Sequence, residues 1–590
     1  MRRQIPKAHR YLSRVWFRSA NFISVISHHA LRHQCLHPHV FPLVPERSPL
    51  VMLTRAGSLG GFGWFDLQQC CYFCSPPPLP EFSRQHYPAA SGNRKYRMRR
   101  EAGQTTSTQI NQILRVRKSI DQIRPDAHTD QFVLCCQANE YSHTLSRGPA
   151  SHGVLGFHSN MLPSNHPVED RRSSATCLPG GSSVQFGVFD GHAGPACAHT
   201  VSQRLFYYIA VATLPRRTLA ELEQAVEEER AIPPLLEWHK YPQDHSYPDG
   251  GAVSFHSLRN YWQERLEDED EDDEEEDKDQ VTSALVSAFR RLDNDLSVEA
   301  QVYLSMSTPR WGSLPAEAFS LSSPLRVALS GCTACVAHIS NGVLHVANLG
   351  DSRAVLGVQE SDGRWSAVSL TNDHNAQNQD ELQRILGEHP ESEQKTVVRH
   401  DRLLGVLLPF RAFGDFRFKW SAEMLSRLYE TRADVLSAVS EVSRMPPPHY
   451  LTPPYLIAEP EVTRHVIRPS DKFLVLASDG LWELMHRQTV VQLVGDQLTG
   501  LQQQRPIIPG TGMTLGTLQR LLLDRKGRVL SVLEDQNAST HLLRHTLGND
   551  GYGAVAPNRL AKMLSLPPEL ARRYRDDITI TIIQLNEPEP

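Results

Sequence analysis

The chain has 590 residues, 40% of them hydrophobic and 22% charged, with a formal net charge of −5. That length suits one large domain with insertions or a few ordinary ones, and that charge balance gives no footing to a nucleic-acid-binding role. No uninterrupted apolar run approaches the roughly 18 residues that a membrane helix needs, so no transmembrane span is expected.

The charge is unevenly placed. Met1 to Pro45 carries seven Lys/Arg and no acid, whereas 267–277 is a run of eleven consecutive acids. In the leader, Arg10, Arg14 and Arg18 recur every four residues and would form one basic stripe on a helix. Leu12, Val15, Trp16 and Phe17 flank it with apolar surface. An acid-free, Arg-rich, amphipathic start is the pattern of a mitochondrial transit peptide. A secretory signal fits poorly, because arginine interrupts each candidate apolar core. Residues 1–100 therefore read as transit peptide and disordered linker, Pro-rich through "CSPPPLPEF" (74–82). Ten cysteines without regular spacing suggest no disulfide framework. Cys71 and Cys74 form a C-x-x-C, but no second pair stands at zinc-finger distance. Residues 101–150 read as a lead-in.

From Val184 the pattern changes. "VQFGVF" (184–189) alternates towards one face, and "VLHVAN" (343–348), followed by "LGDS" and "RAVLGV" (353–358), predicts a β-hairpin. "DKFLVLAS" (471–478) and "DITITIIQL" (577–585) predict further strands. Helical periodicity marks 195–214, 281–296 and 378–389. No regular βαβ repeat appears, which points to an α+β layered domain of antiparallel sheets with helices outside. The acid run and its flank, 267–279, cannot bury its charges and predicts a solvated loop; a calcium or polyamine site is the alternative there. "MPPPHYLTPPYL" (445–456) predicts a proline-stiffened loop.

Three aspartates stand at strand ends: Asp190 after "FGVF", Asp479 after "LVLAS", and Asp576 before "DITITII". Strand ends from neighbouring sheets lie side by side, so distant residues can share one rim. Crowded carboxylates stay protonated unless a cation holds them. Hard oxygen donors without a nearby Cys or His pair select Mg²⁺ or Mn²⁺. Gly191 and Gly194 lack a Cβ, so backbone there can approach an ion closely.

The segments "VEDRR" (168–172), "VFDGHAG" (188–194), "SGCTACVAHI" (330–339), "ANLGDSRAVLG" (347–357), "RAFGD" (411–415), "ASDGLWE" (477–483) and "RDDIT" (575–579) occur in the order of the PP2C-type metal-dependent Ser/Thr phosphatases. The chain resembles that family from about 151 to 590. Within it, "NDHNAQNQDEL", "FRAFGDFRFKW" and "LARRYRDDITITIIQ" resemble the mitochondrial pyruvate dehydrogenase phosphatases. "TQINQILR" (108–115) and "ANEYSH" (138–143) are similar to neighbouring pieces of that group, with 116–137 standing between them either as a lineage insert or as an artefact of the gene model.

The resemblance implies a β-sandwich of two antiparallel sheets flanked by helices, with long loop insertions and two Mg²⁺ or Mn²⁺ ions at one end. It implies that Asp190 bridges both ions, that the Gly191 carbonyl binds one, and that Asp479 and Asp576 complete the protein ligands. Glu169 and Asp170 match the pair that holds the ions' waters, while Asp577 supports the turn. Asp351 touches a weaker third ion, although Glu483 stands where the family often has an aspartate. His192 is expected to act as general acid towards the departing alkoxide. Thr333 packs beneath the site, and Arg411 and Asp415 orient ligands and waters. Asn165 occupies the position of a phosphate-clamping arginine, with Arg171 and Arg172 as substitutes.

By the same resemblance the substrate is phosphorylated E1α of pyruvate dehydrogenase in the mitochondrial matrix. The partners are the lipoyl domain of the E2 core and a flavoprotein regulatory subunit, with Ca²⁺ at the partner interface in one isoform. Two other readings compete: an inactive relative that only binds partners, and a phosphatase for another mitochondrial phosphoprotein. Retention of every metal aspartate and of His192 speaks against the first.

Overall fold

Alternation of apolar side chains decides which strand faces share a core. The computed structural model describes residues 139–145, 153–179, 183–241, 252–267, 280–305, 323–431, 436, 445–500, 513–550 and 555–585. The expected transit peptide and linker (1–100), the segment 116–137, the C-x-x-C and most of the acid loop lie outside the described residues.

The first sheet joins β1 (Tyr141–Thr144), β2 (Val154–Leu162), β10 (Arg353–Gln359), β11 (Trp365–Ser369), β16 (Asp471–Ala477) and β17 (Ile578–Leu585) in the order β1-β2-β17-β16-β10-β11. The second joins β3 (Arg171–Cys177), β4 (Ser183–Phe189), β6 (Leu236–Trp238), β8 (Ala334–Ser340), β9 (Val343–Leu349) and β15 (Glu461–Val466) in the order β15-β9-β8-β4-β3-β6. Neighbours in both sheets are antiparallel. Val184, Phe186 and Val188 of β4 and Leu344 and Val346 of β9 pack against Leu356 of β10 and Leu474 and Leu476 of β16. That shared core makes the two sheets a sandwich, and each fully buried Leu or Phe in it contributes about 1.5–3 kcal/mol.

The outer faces carry helices. Phe189, Val336 and Ala347 of the second sheet pack with Leu205 and Ile209 of α1 (Ala196–Thr213) and with Leu285, Phe289 and Leu292 of α2 (Gln280–Ser305). Val475, Ile580 and Ile582 of the first sheet pack with Val490 and Val494 of α4 (Arg487–Thr499) and Leu542 of α5 (Ala538–Gly548). A further helix, α3 (Gln379–Glu388), is capped by the Asn378 side chain, which accepts from the Asp380 and Glu381 N–H groups. The expected α+β sandwich flanked by helices is therefore present.

One expectation fails. β9 and β10 do not form a hairpin: β9 lies in the second sheet and β10 in the first. The "LGDS" turn is a corner between sheets. Gly350 takes φ +113° there, and its N–H and C=O bond to His374 Nδ1 and the His374 N–H, at 3.0 and 2.9 Å. The turn's backbone is thus satisfied by the 372–374 segment rather than by a returning strand.

Two small sheets complete the inventory of described strands. β12 (Val398–Arg399) pairs with β13 (Arg402–Leu403). β5 (Gly191–His192), β7 (Gly331–Cys332) and β14 (Phe413–Gly414) run in the order β14-β7-β5. The segment 445–456 holds no helix or strand, yet it is anchored: Tyr455 is buried, stacks on His389, and donates its hydroxyl to Glu393 at 2.5 Å.

Candidate active site

β4 ends at Phe189 and delivers Asp190 to the rim of the sandwich, where its carbonyl accepts from the Thr333 N–H at 2.9 Å. The chain then turns into β5. A Cβ on Gly191 would lie 2.4 Å from the Glu169 carbonyl oxygen, so only glycine fits there. β16 ends at Ala477 and delivers Asp479 to the same rim, and β17 is entered through Asp576 and Asp577.

The structure brings the three metal-ligand candidates together. Asp190 lies close enough to Asp479, Asp170, Asp351 and Asp576 that burial and then those charges hold its carboxyl well above the usual range. Asp479 and Asp190 share a hydrogen bond, and burial with the Asp351 and Asp576 charges pushes Asp479 up to about 7. Asp351 is raised to about 6, by burial and then by Asp373. Asp170 is buried and raised well above its usual range by burial and Asp577, although Ser478 Oγ and Thr579 Oγ1 donate to its Oδ2 at 2.8 and 2.7 Å. Burial likewise raises Glu169. Carboxylates massed this way stay neutral or attract cations.

Asp577 has the supporting role expected of it. It accepts from the N–H groups of Asn165 and Glu169 at 2.8 and 2.9 Å and also from that of Ser164, folding the 164–169 loop against β17. Asp576 forms an ion pair with Arg572, and burial nonetheless raises its carboxyl.

A second unit stands beside the cluster. In the small sheet Gly331 pairs with His192 on one side and Gly414 on the other. His192 Nε2 meets Asp415 Oδ2 at 2.5 Å. A Cβ on Gly331 would fall 2.1 Å from that nitrogen and 2.2 Å from that oxygen, so the glycine makes the contact possible. Asp415 is fully buried and sits in the left-handed region at φ 48°, ψ 38°. Burial alone would lower the imidazole's pKa, and the Asp415 carboxylate outweighs it, leaving His192 above its ordinary value.

Sequence reasoning missed what holds Asp415. Asp293 of α2 accepts from the Gly414 N–H at 3.0 Å and from Lys419 Nζ at 2.8 and 2.9 Å. Asp293 lies in the predicted helix and Lys419 just past "RAFGD"; nothing local in the sequence pairs them.

Three expectations need correction. Arg411 does not turn towards the site: it grips Glu381 at 2.9 and 2.7 Å and the Glu459 carbonyl at 2.9 Å. Arg172 is buried, donates to Ser159 Oγ and the Asn139 carbonyl, and lies over the Tyr241 ring. Arg171 donates to the Val168 and Asp170 carbonyls. Arg172 is thus turned into the interior and Arg171 is held through Nη1 by two backbone carbonyls, while Asn165 itself bonds Asp576 Oδ1 and Asp577 Oδ2 through Nδ2 at 3.3 and 3.1 Å. Thr333 is buried beneath Asp190 as expected. Glu483 is exposed.

Among the described residues no three His, Cys, Asp or Glu side chains close on one point as a finished metal sphere. The contacts above explain why: Asp190 is bonded to Asp479, Asp576 is drawn to Arg572, and one expected donor is a backbone carbonyl. The donor set still fits hard divalent cations. It is all oxygen, its acids are raised by burial and then by one another's charge, and Asp479 Oδ1 is buried without a hydrogen-bond partner.

Comparison with known proteins agrees with this geometry. The profile of the protein phosphatase 2C family matches residues 251–506, a span that holds Asp351, Asp415 and Asp479. The chain is 51% identical over 524 residues to the mitochondrial pyruvate dehydrogenase (acetyl-transferring) phosphatase 1 of Bos taurus, covering 87% of this chain and 92% of that protein. It thus belongs to the protein phosphatase 2C family, whose members are metal-dependent Ser/Thr phosphatases. It is 55% identical over 453 residues to phosphatase 1 of Homo sapiens, covering 76% and 81% of the two chains. With human phosphatase 2 it shares 48% over 458 residues, covering 76% and 82%.

Proposed function

We propose that the chain hydrolyses serine phosphate on the E1α subunit of pyruvate dehydrogenase in the mitochondrial matrix and so reactivates that complex. The observation that carries the chemistry is the convergence of Asp190, Asp479 and Asp576 on one rim beside the His192–Asp415 pair. The names of the relatives support the substrate and the compartment, and the basic, acid-free leader supports import. Docking on the E2 lipoyl domain, a flavoprotein subunit and Ca²⁺ at the partner interface rest on the resemblance alone.

Asp190, Asp479, Asp576 and the Gly191 carbonyl would hold two Mg²⁺ or Mn²⁺ ions, with Glu169 and Asp170 bonding their waters and Asp351 serving a weaker third. Bound there, the ions neutralise phosphoryl oxygens and lower the pKa of the attacking water. The remaining work falls to the protein. Asp415 accepts from Nε2 and favours the imidazolium, which leaves Nδ1–H as the proton for the departing serine alkoxide. Gly331 keeps that pair in contact, and Asp293 with Lys419 fixes the backbone of Asp415. Among the described residues no C-x₅-R cradle surrounds a cysteine, and the free cysteines Cys177, Cys197, Cys332 and Cys335 are all buried, so a water is the fitting nucleophile.

The test is Mg²⁺-dependent phosphate release from phosphorylated E1α by wild type, Asp190→Ala and His192→Ala. Activity confined to wild type supports the assignment, and equal rates in all three would discard it. An inert wild type with retained partner binding would favour a binding-only protein.

A further inference from the structure

A phosphate monoester dianion approaching a rim of carboxylates needs a cationic fork, and arginine supplies one that matches phosphate in two hydrogen bonds. The arginines nearest the motifs are already committed. Arg171 is held by the Val168 and Asp170 carbonyls, Arg172 is buried, Arg411 is gripped by Glu381, and Arg353 donates twice to Asp373 at 2.8 and 2.7 Å. Arg572 differs. It meets Asp576 Oδ2 through Nη1, yet 55% of its side chain is exposed, against 15% for Arg411.

Its backbone is well fixed. The turn that carries it is pinned to the 163–165 loop by Arg575 Nη2, which donates to the Pro163 carbonyl at 2.7 Å, and by Ser164 Oγ, which donates to the Arg575 carbonyl at 2.8 Å. Arg572 and Asn165 therefore grip opposite oxygens of one carboxylate, Oδ2 and Oδ1 of Asp576. Asn165 offers a neutral amide on one side and Arg572 an exposed guanidinium on the other. A guanidinium has five N–H donors, so an ion pair through Nη1 leaves others for a ligand.

We propose that Arg572 binds the phosphoryl group of the substrate, taking on the clamp that the residue at 165 is too short and uncharged to supply. The proposal rests on the phosphatase reading of the same rim. Arg572 is a binding residue here and takes no part in proton transfer.

The experiment measures the dissociation constant of inorganic phosphate by calorimetry on the Mg²⁺-loaded full chain, together with KM and kcat on phosphorylated E1α. Arg572→Ala is expected to weaken phosphate binding and raise KM by about tenfold, the loss of one charge-assisted contact, with kcat moving much less. Asn165→Arg in that background is expected to regain phosphate affinity, because it restores a guanidinium at the same carboxylate. Wild-type phosphate affinity in Arg572→Ala would overturn the proposal while leaving the site intact. So would a variant whose single change is the Mg²⁺ concentration for half activation, which would make Arg572 a counter-ion of Asp576. A wild type without turnover would remove the site reading and this inference together.

Discussion

Two groups of acids in this protein meet burial in opposite ways. Away from the rim, Glu381 is buried between Arg411 and Arg384, with both oxygens bonded at 2.6–3.1 Å, and even Asp293, which burial raises, keeps Lys419 as a bonded partner. At the rim, Asp190, Asp479, Asp351 and Asp170 face one another. The consequence is visible in their protonation: the two arginines overcome burial and hold Glu381 down to about 2, while Asp479 rises to about 7. Paired acids hold the fold together. Massed acids store repulsion that a cation would relieve, which is how a site can be told from a structural ion pair.

The comparison breaks most visibly if one rim acid is removed. Asp190→Ala should lower kcat/KM by about a thousandfold, the several kcal/mol that bound metal contributes, while the melting temperature measured in EDTA holds or rises. Lys419→Met should do the reverse to the fold. It strands Asp293 and costs about 3 kcal/mol in urea unfolding, with activity falling as Asp415 loses its backbone support. An unchanged unfolding midpoint would mean that Asp293 needs no partner.

Asp415→Asn is intermediate. The amide keeps the shape and loses the charge that favours imidazolium, so kcat should fall by about a hundredfold with KM and melting temperature nearly constant. A parallel loss of stability would recast Asp415 as a structural residue that happens to touch His192.

The sequence carried more of the site than of the wiring around it. Asp190, Asp479 and Asp576 were legible because each stands next to an apolar strand, and strand ends are where distant residues meet. Their neighbours were not. The "LGDS" turn has the composition of a hairpin, and only the bonds between Gly350 and His374, 24 residues apart, make it a corner between sheets. Arg411 sits four residues from Asp415, yet its partner Glu381 lies 30 residues away. Arg171 and Arg172 looked available because charge is visible in a sequence, whereas the burial of Arg172 and the carbonyls that hold Arg171 are not. Gly331 carried no signal in the sequence, and its role appears only once the His192 and Asp415 side chains are placed beside it.

The smallest effect sharpens the contrast best, because the two acids should give pH slopes of opposite sign. Glu381 keeps its charge in the folded state down to about 2, whereas its unfolded carboxyl takes a proton near 4.5. Its contribution is therefore present above pH 4.5 and lost as pH falls towards 2. Asp479 keeps its proton in the folded state to about 7, whereas the unfolded chain releases it near 3.8. Without metal, stability should therefore decline as pH rises from about 4 to about 7. Each limb should amount to about 2 kcal/mol after discounting for solvent screening. Urea unfolding in EDTA across this range should show both limbs, Glu381→Gln flattening the acid one and Asp479→Asn the neutral one. Saturating Mg²⁺ should abolish the neutral limb in wild type, since a cation replaces the proton between the rim acids. A neutral limb that persists in Asp479→Asn would place the repulsion somewhere other than this rim.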